Sequence, residues 1–130
     1  MLRLAIATVV LSAGHGHAAG ERIPLPSGLE VAFIEVVGDD PGYGYGYAYQ
    51  FRFVAADLNP AQDYVTTEAD LAHLCLSYAL PRVADADPPA RSIVISLADR
   101  EVPFGASDPD AVQFFGAYTP EGSECVWQAF

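Results

Sequence analysis

The sequence predicts an α+β fold: an antiparallel sheet of about five strands covered by one main helix at residues 66–80, stapled by one disulfide. Three observations carry that expectation. Aromatic rings occupy every odd position from Tyr43 to Phe53, a period of two that places them on one face of a strand. Leu71, Leu74, Cys75 and Tyr78 recur at helical spacing. Cys75 and Cys125 are the two cysteines of the chain.

Before the folded part comes an export segment. Arg3 supplies a positive start, and Leu4 to Ala13 is an apolar run too short to span a bilayer. Gly16 and Ala18 put small residues at −3 and −1 of a cut after Ala18. Residues 1–18 therefore read as a signal peptide, residues 19–130 as a single α+β domain, and the address as periplasmic or secreted. No membrane insertion is expected after cleavage. His15 and His17 leave with the signal, so Gly14-His15-Gly16-His17 carries no metal reading, and His73 is the one histidine that remains.

Residues 19–28, with Pro24, Pro26 and Gly28, read as an extended lead-in. Leu29, Val31 and Phe33 alternate with Glu30 and Ala32 in a first strand through Val37, its phase blurred near Val36-Val37. Gly38-Asp39-Asp40-Pro41-Gly42 is a turn signal. The aromatic strand then runs from Tyr47 to Ala55 and forms a hairpin with the first, its loop being the Gly-Tyr repeat. Glycine-rich backbone favours a mobile tip, which makes Tyr43, Tyr45 and Tyr47 a candidate contact surface suited to adaptable contacts or sugar stacking. The plainer reading is a variable loop without a ligand.

Thr66 or Thr67 fits the helix N-cap, with Glu68 and Asp70 favouring the first turn. Pro81 should end the helix and push Leu80 out of helical geometry. Ser92 to Leu97 is a β-branched, buried strand. Val102-Pro103-Phe104-Gly105 reads as a short edge segment. Residues 108–111 read as one helical turn, followed by a terminal hairpin with strands near 112–118 and 124–130; a short helix through Phe115 is the alternative. In an exported chain the two cysteines pair, so a Cys75–Cys125 bond is expected to pin the helix to the sheet.

Seventeen carboxylates face six arginines and no lysine, a net charge of −11. That argues against nucleic acid and anionic lipid as partners, because both are held by cations. An acidic surface suits a dispersed monomer. Asp70, His73 and Ser77 are triad residue types, but they are expected along the polar, solvated side of the helix, without an oxyanion hole or a nucleophile elbow. Asp39-Asp40, Asp85-Ala86-Asp87 and Asp108-Pro109-Asp110 lack the ligand spacing of a calcium loop. No catalytic, metal-ligating or cofactor-binding residue is assigned, and no cofactor is expected. Arg52, on the strand face opposite the rings, is expected to pair with Asp99 or Glu101.

Asp70-Leu71-Ala72-His73-Leu74-Cys75, Tyr78-Ala79-Leu80-Pro81-Arg82, Ile93 through Arg100, Phe104-Gly105, Asp108-Pro109-Asp110, Gln113-Phe114-Phe115 and Cys125-Val126-Trp127 together resemble a family of short exported alphaproteobacterial proteins of unknown function. Phe51 to Ala55 fits it too, whereas the Gly-Tyr repeat departs from its pattern. Members sometimes carry the label acetolactate synthase. The chain does not support that label: it is too short for a thiamine-diphosphate enzyme and lacks a Gly-Asp-Gly motif. The resemblance implies no activity and no catalytic residues. The leading expectation is a non-enzymatic binding or accessory module for a periplasmic protein or small molecule. A small carboxylate-based envelope hydrolase is the alternative, and a structural assembly subunit the third reading.

Overall fold

The computed structural model describes residues 21–40, 42 and 46–129; residues 1–18, where the sequence predicts a signal peptide, and Tyr43 and Tyr45 lie outside them. Six strands form one sheet in sequential order: β1 (Arg22–Pro24), β2 (Glu30–Asp39), β3 (Tyr47–Val54), β4 (Ala90–Ala98), β5 (Gln113–Glu121) and β6 (Glu124–Trp127). One helical layer lies between β3 and β4 in sequence. It comprises α1 (Tyr64–Leu74), a π-helical turn at Cys75–Ala79 and α2 (Leu80–Val83). The fold is α+β, with two corrections to the expected sheet. The lead-in contributes a sixth strand, β1, antiparallel to β2. The sheet is also mixed, because β3 and β4 run parallel. Parallel neighbours need a long crossover, and the helix supplies it; the other four pairings are antiparallel.

The aromatic alternation of β3 fixes which side is covered. Phe51 and Phe53 point toward the helix and are nearly fully buried, beside Ile93, Ile95 and Leu97 of β4. Burying each of these phenylalanines is worth about 1.5–3 kcal/mol. Tyr78 stands edge-on to Phe53 at 5.4 Å and to Phe51 at 6.2 Å, and Phe33 of β2 closes the cluster 4.9 Å from Tyr78. The blurred phase of β2 has a cause: the register slips between Phe33 and Glu35, a β-bulge that returns Val36 to the ring side opposite Phe51.

The helix starts earlier and ends later than its pattern predicts. Its N-cap is Asp63, not Thr66 or Thr67. The Asp63 carboxylate accepts from the Thr66 amide at 2.8 Å and from the Thr66 hydroxyl at 2.9 Å. Those bonds, the amide first, hold its carboxyl below the usual range. Pro81 does not end the helix. Leu80 keeps helical dihedrals (φ −56°, ψ −48°), and the chain stays helical to Val83. The π turn makes this possible: the Leu80 amide reaches back five residues to the Cys75 carbonyl, so the ladder is already widened where Pro81 withdraws a donor. The extra residue also rotates the stripe. Cys75, Tyr78, Ala79 and Val83 are all buried, while Arg82 turns outward and stacks over Tyr78 at 3.4 Å.

Cys75 on the π turn and Cys125 on β6 lie at disulfide distance, 2.18 Å between sulfurs, joining the helix to the last strand. The terminal hairpin follows expectation, with a turn closed by the Ala111 amide on the Asp108 carbonyl and β5 beginning at Gln113 rather than a helix. Val102 to Gly105 is loop, not an edge strand.

Candidate functional site

The face of the sheet turned away from the helix carries Glu35, Gln50, Arg52 and Ser96. These are the small and polar alternates of the strands whose other side holds the rings. A loop from residue 99 to residue 112 lies across part of this face. Its base is closed twice. The Asp99 amide donates to the Val112 carbonyl at 3.0 Å, and the Val112 amide donates to the Asp99 carboxylate at 3.1 Å. Arg100 also grips that carboxylate through Nε and Nη2, and this pair is the main reason the Asp99 carboxyl sits below its ordinary range. Val102, in the middle of the loop, is buried against the sheet.

Arg52 is the centre of this arrangement. It is 9% exposed. Nη1 meets Glu35 Oε1 at 2.6 Å, Nη2 donates to the Val102 carbonyl, and the guanidinium lies 5.9 Å from the Phe104 ring centroid. Its partner is thus Glu35, directly opposite in the β2–β3 register, rather than Asp99 or Glu101. Asp99 is already committed to Arg100 and Val112. Arg52 Nε is buried with no hydrogen-bond partner, the one such side-chain atom among the described residues.

Two cavities of about 310 Å³ each open on either side of the Val102-Pro103 crossing, and Arg52 lines both. The first is bounded by Glu35, Ser96, Arg100, Glu101 and an apolar remainder that includes Val54 and Ala98. Two arginines and two glutamates balance its formal charge. The second runs beneath Phe104 to Gln50, Gln113 and Phe115.

The residues singled out in the sequence fall elsewhere. Tyr47 opens β3, packs 5.0 Å from Tyr49 and covers Gly38, where a Cβ would sit only 2.7 Å from the Tyr47 ring. Asp70, His73 and Ser77 are not brought together. The Ser77 hydroxyl donates to the His73 carbonyl. Asp70 is not solvated, as the polar-face reading expected: it is fully buried and accepts from the Ser27 amide at 3.0 Å and the Ser27 hydroxyl at 2.6 Å. It lies on the same buried stripe as Thr67, Leu71 and Leu74. The turn from Leu25 to Leu29, which requires Gly28 at φ +91°, docks there. Among the described residues no three of His, Cys, Asp or Glu cluster as metal ligands, and no helix is long and apolar enough to cross a membrane.

A model of a family of unknown function, DUF6497, matches residues 6–130. The chain belongs to DUF6497. No curated protein and no solved structure matches it. The DUF6497 match spans every residue of the Arg52 site and the cysteine pair, so both lie inside the family's extent.

Proposed function

We propose that this DUF6497 protein is an exported, monomeric, non-enzymatic binding module whose ligand sits under the 99–112 loop and offers an acceptor oxygen to Arg52. One observation carries the reading: Arg52 is nine-tenths buried, two of its nitrogens are bonded, its Nε–H is buried without a partner, and the residue lines a cavity. A buried donor without a partner costs about 1–3 kcal/mol, so it marks a place where a ligand group gains more than it would in water. The charge-balanced lining favours an uncharged or zwitterionic small molecule over a strong anion. Export is supported by the leader pattern of residues 1–18 and by the cysteine pair, which suits an oxidising compartment.

The test has two parts. Intact mass of the full chain expressed with its own leader should read a cut after Ala18. The mature protein is then titrated with free amino acids, small sugars and hydroxy acids while the Arg52 Nε–H resonance is followed by nitrogen-edited NMR. A ligand should move that resonance and raise the melting temperature. If no compound moves it, and Arg52→Met leaves every melting shift unchanged, the Arg52 cavity is not the binding site. Glu35 and Glu101 line the same cavity, which is the specific support for a hydrolase reading; turnover abolished by Glu35→Gln or Glu101→Gln would replace binding by catalysis.

A further inference from the structure

On the opposite, helix-bearing side, the first turns of α1 and the ends of β5 and β6 enclose a smaller recess of about 180 Å³. Its walls include Tyr64, Glu68, Leu71, Phe114, Tyr118 and Trp127. Four of these six are aromatic and one is a carboxylate. Tyr118 is almost fully buried and forms the floor, whereas Tyr64 and Trp127 are 69% and 51% exposed and form the rim. The floor depends on Gly116, where a Cβ would come within 2.8 Å of the Tyr118 hydroxyl. Glu68 makes no salt bridge among the described residues. Its charge acts on the recess: burial first, and then the Glu68 carboxylate, push the Tyr118 phenol up to about 12.

Exposed tryptophan and tyrosine rings on a water-accessible rim lose little by staying in water alone, yet they gain when a cation is set over their faces. An unpaired carboxylate inside the same walls selects positive charge, and the chain's net charge of −11 favours a cation's approach. The volume is below the roughly 300–1,000 Å³ of pockets that enclose whole drug-sized ligands, so a head group fits rather than a full metabolite. A strongly hydrated ammonium would have to shed water to enter an aromatic recess, whereas a methylated one already presents an apolar surface. We infer that the recess between α1 and β5–β6 is a binding site for the quaternary ammonium head group of a small soluble molecule, with Tyr64, Tyr118 and Trp127 facing the cation and Glu68 supplying the counter-charge. The recess shares Phe115 with the second Arg52-lined cavity, but the inference does not rest on the Arg52 reading.

Trp127 is the chain's single tryptophan, so its fluorescence reports on this recess alone. The mature, oxidised protein is titrated with choline at constant ionic strength. Parallel titrations use glycine betaine and the uncharged isostere 3,3-dimethylbutan-1-ol. Choline should change the Trp127 emission saturably, and the isostere should bind about tenfold more weakly or worse, the factor a desolvated cation–π contact is worth. Glycine betaine, whose carboxylate meets Glu68, should also be weaker. Glu68→Gln and Tyr64→Ala, both at surface-accessible positions, should each weaken choline severalfold with unchanged circular dichroism. Equal binding of choline and its isostere would make the recess merely apolar and overturn the proposal. So would no saturable response to choline up to about 100 mM, well beyond the millimolar affinity of a weak site. Binding to phosphatidylcholine vesicles without binding to free choline would overturn the soluble source.

Discussion

Replacing Asp70 tests whether a buried carboxylate in the helix is a structural tie. Its oxygens accept from the Ser27 amide and hydroxyl at 3.0 and 2.6 Å, with Gln62 Nε2 more distant at 3.4 Å. Hydrogen bonds to a charged acceptor contribute about 1.5–3 kcal/mol each. Two good bonds set an upper range of about 3–6 kcal/mol, and the exposure of Ser27, which lets water replace part of the loss, brings the expectation for Asp70→Ala to about 3 kcal/mol. In a domain of this size that corresponds to a fall of roughly 10–15 °C in melting temperature. Asp70→Asn keeps the shape and one acceptor oxygen, and should cost about 1 kcal/mol. Urea unfolding at pH 7 reads both values from the shift in midpoint at unchanged slope. Hydrogen exchange adds a local readout, because the Ser27 amide should lose protection in Asp70→Ala. An alanine variant within about 1 kcal/mol of the parent, well below the value of two charged bonds, with Ser27 still protected, would refute the reasoning.

Two further outcomes follow from the same geometry. Replacing both cysteines by serine opens a loop spanning 50 residues of sequence, and chain entropy sets the loss at about 4 kcal/mol; identical urea midpoints for the oxidised and cysteine-free proteins would refute it. Tyr118 has a folded-state pKa raised from 10.0 to about 12, so the folded chain holds its proton longer than the unfolded one. Its contribution is therefore complete below pH 10 and is lost as pH rises toward 12, and Tyr118→Phe should flatten the alkaline limb of the stability profile over that window.

How much of this could be read beforehand depends on the range of the interaction. Period two in β3 and the stripe Leu71, Leu74, Cys75, Tyr78 are local, and both survive in the fold. Pro81 misled because its usual effect, breaking an α-helix, is bypassed when the preceding turn is π-helical, and nothing local at Cys75–Ala79 signals that choice. The parallel pairing of β3 with β4 is decided by where a helix lies, not by either strand's composition. Asp70 misled for a related reason. Its side of the helix looks polar until the Leu25–Leu29 turn docks on it, and that turn is more than forty residues away in sequence.

The Arg52 site was legible only in half. Alternation along β3 places Arg52 on the face without rings, and an arginine there can lie in water at no cost. What buries it is the 99–112 loop, whose closure at Asp99 and Val112 brings the Val102 carbonyl down onto the guanidinium. Glu35 is itself half-exposed, so the ion pair alone gives little reason to hold the loop over the charge. The carbonyl contact and the buried Val102 do that, and they occupy Nη2 while leaving Nε with nothing. The loop therefore creates the unmet donor and the walls around it in the same step.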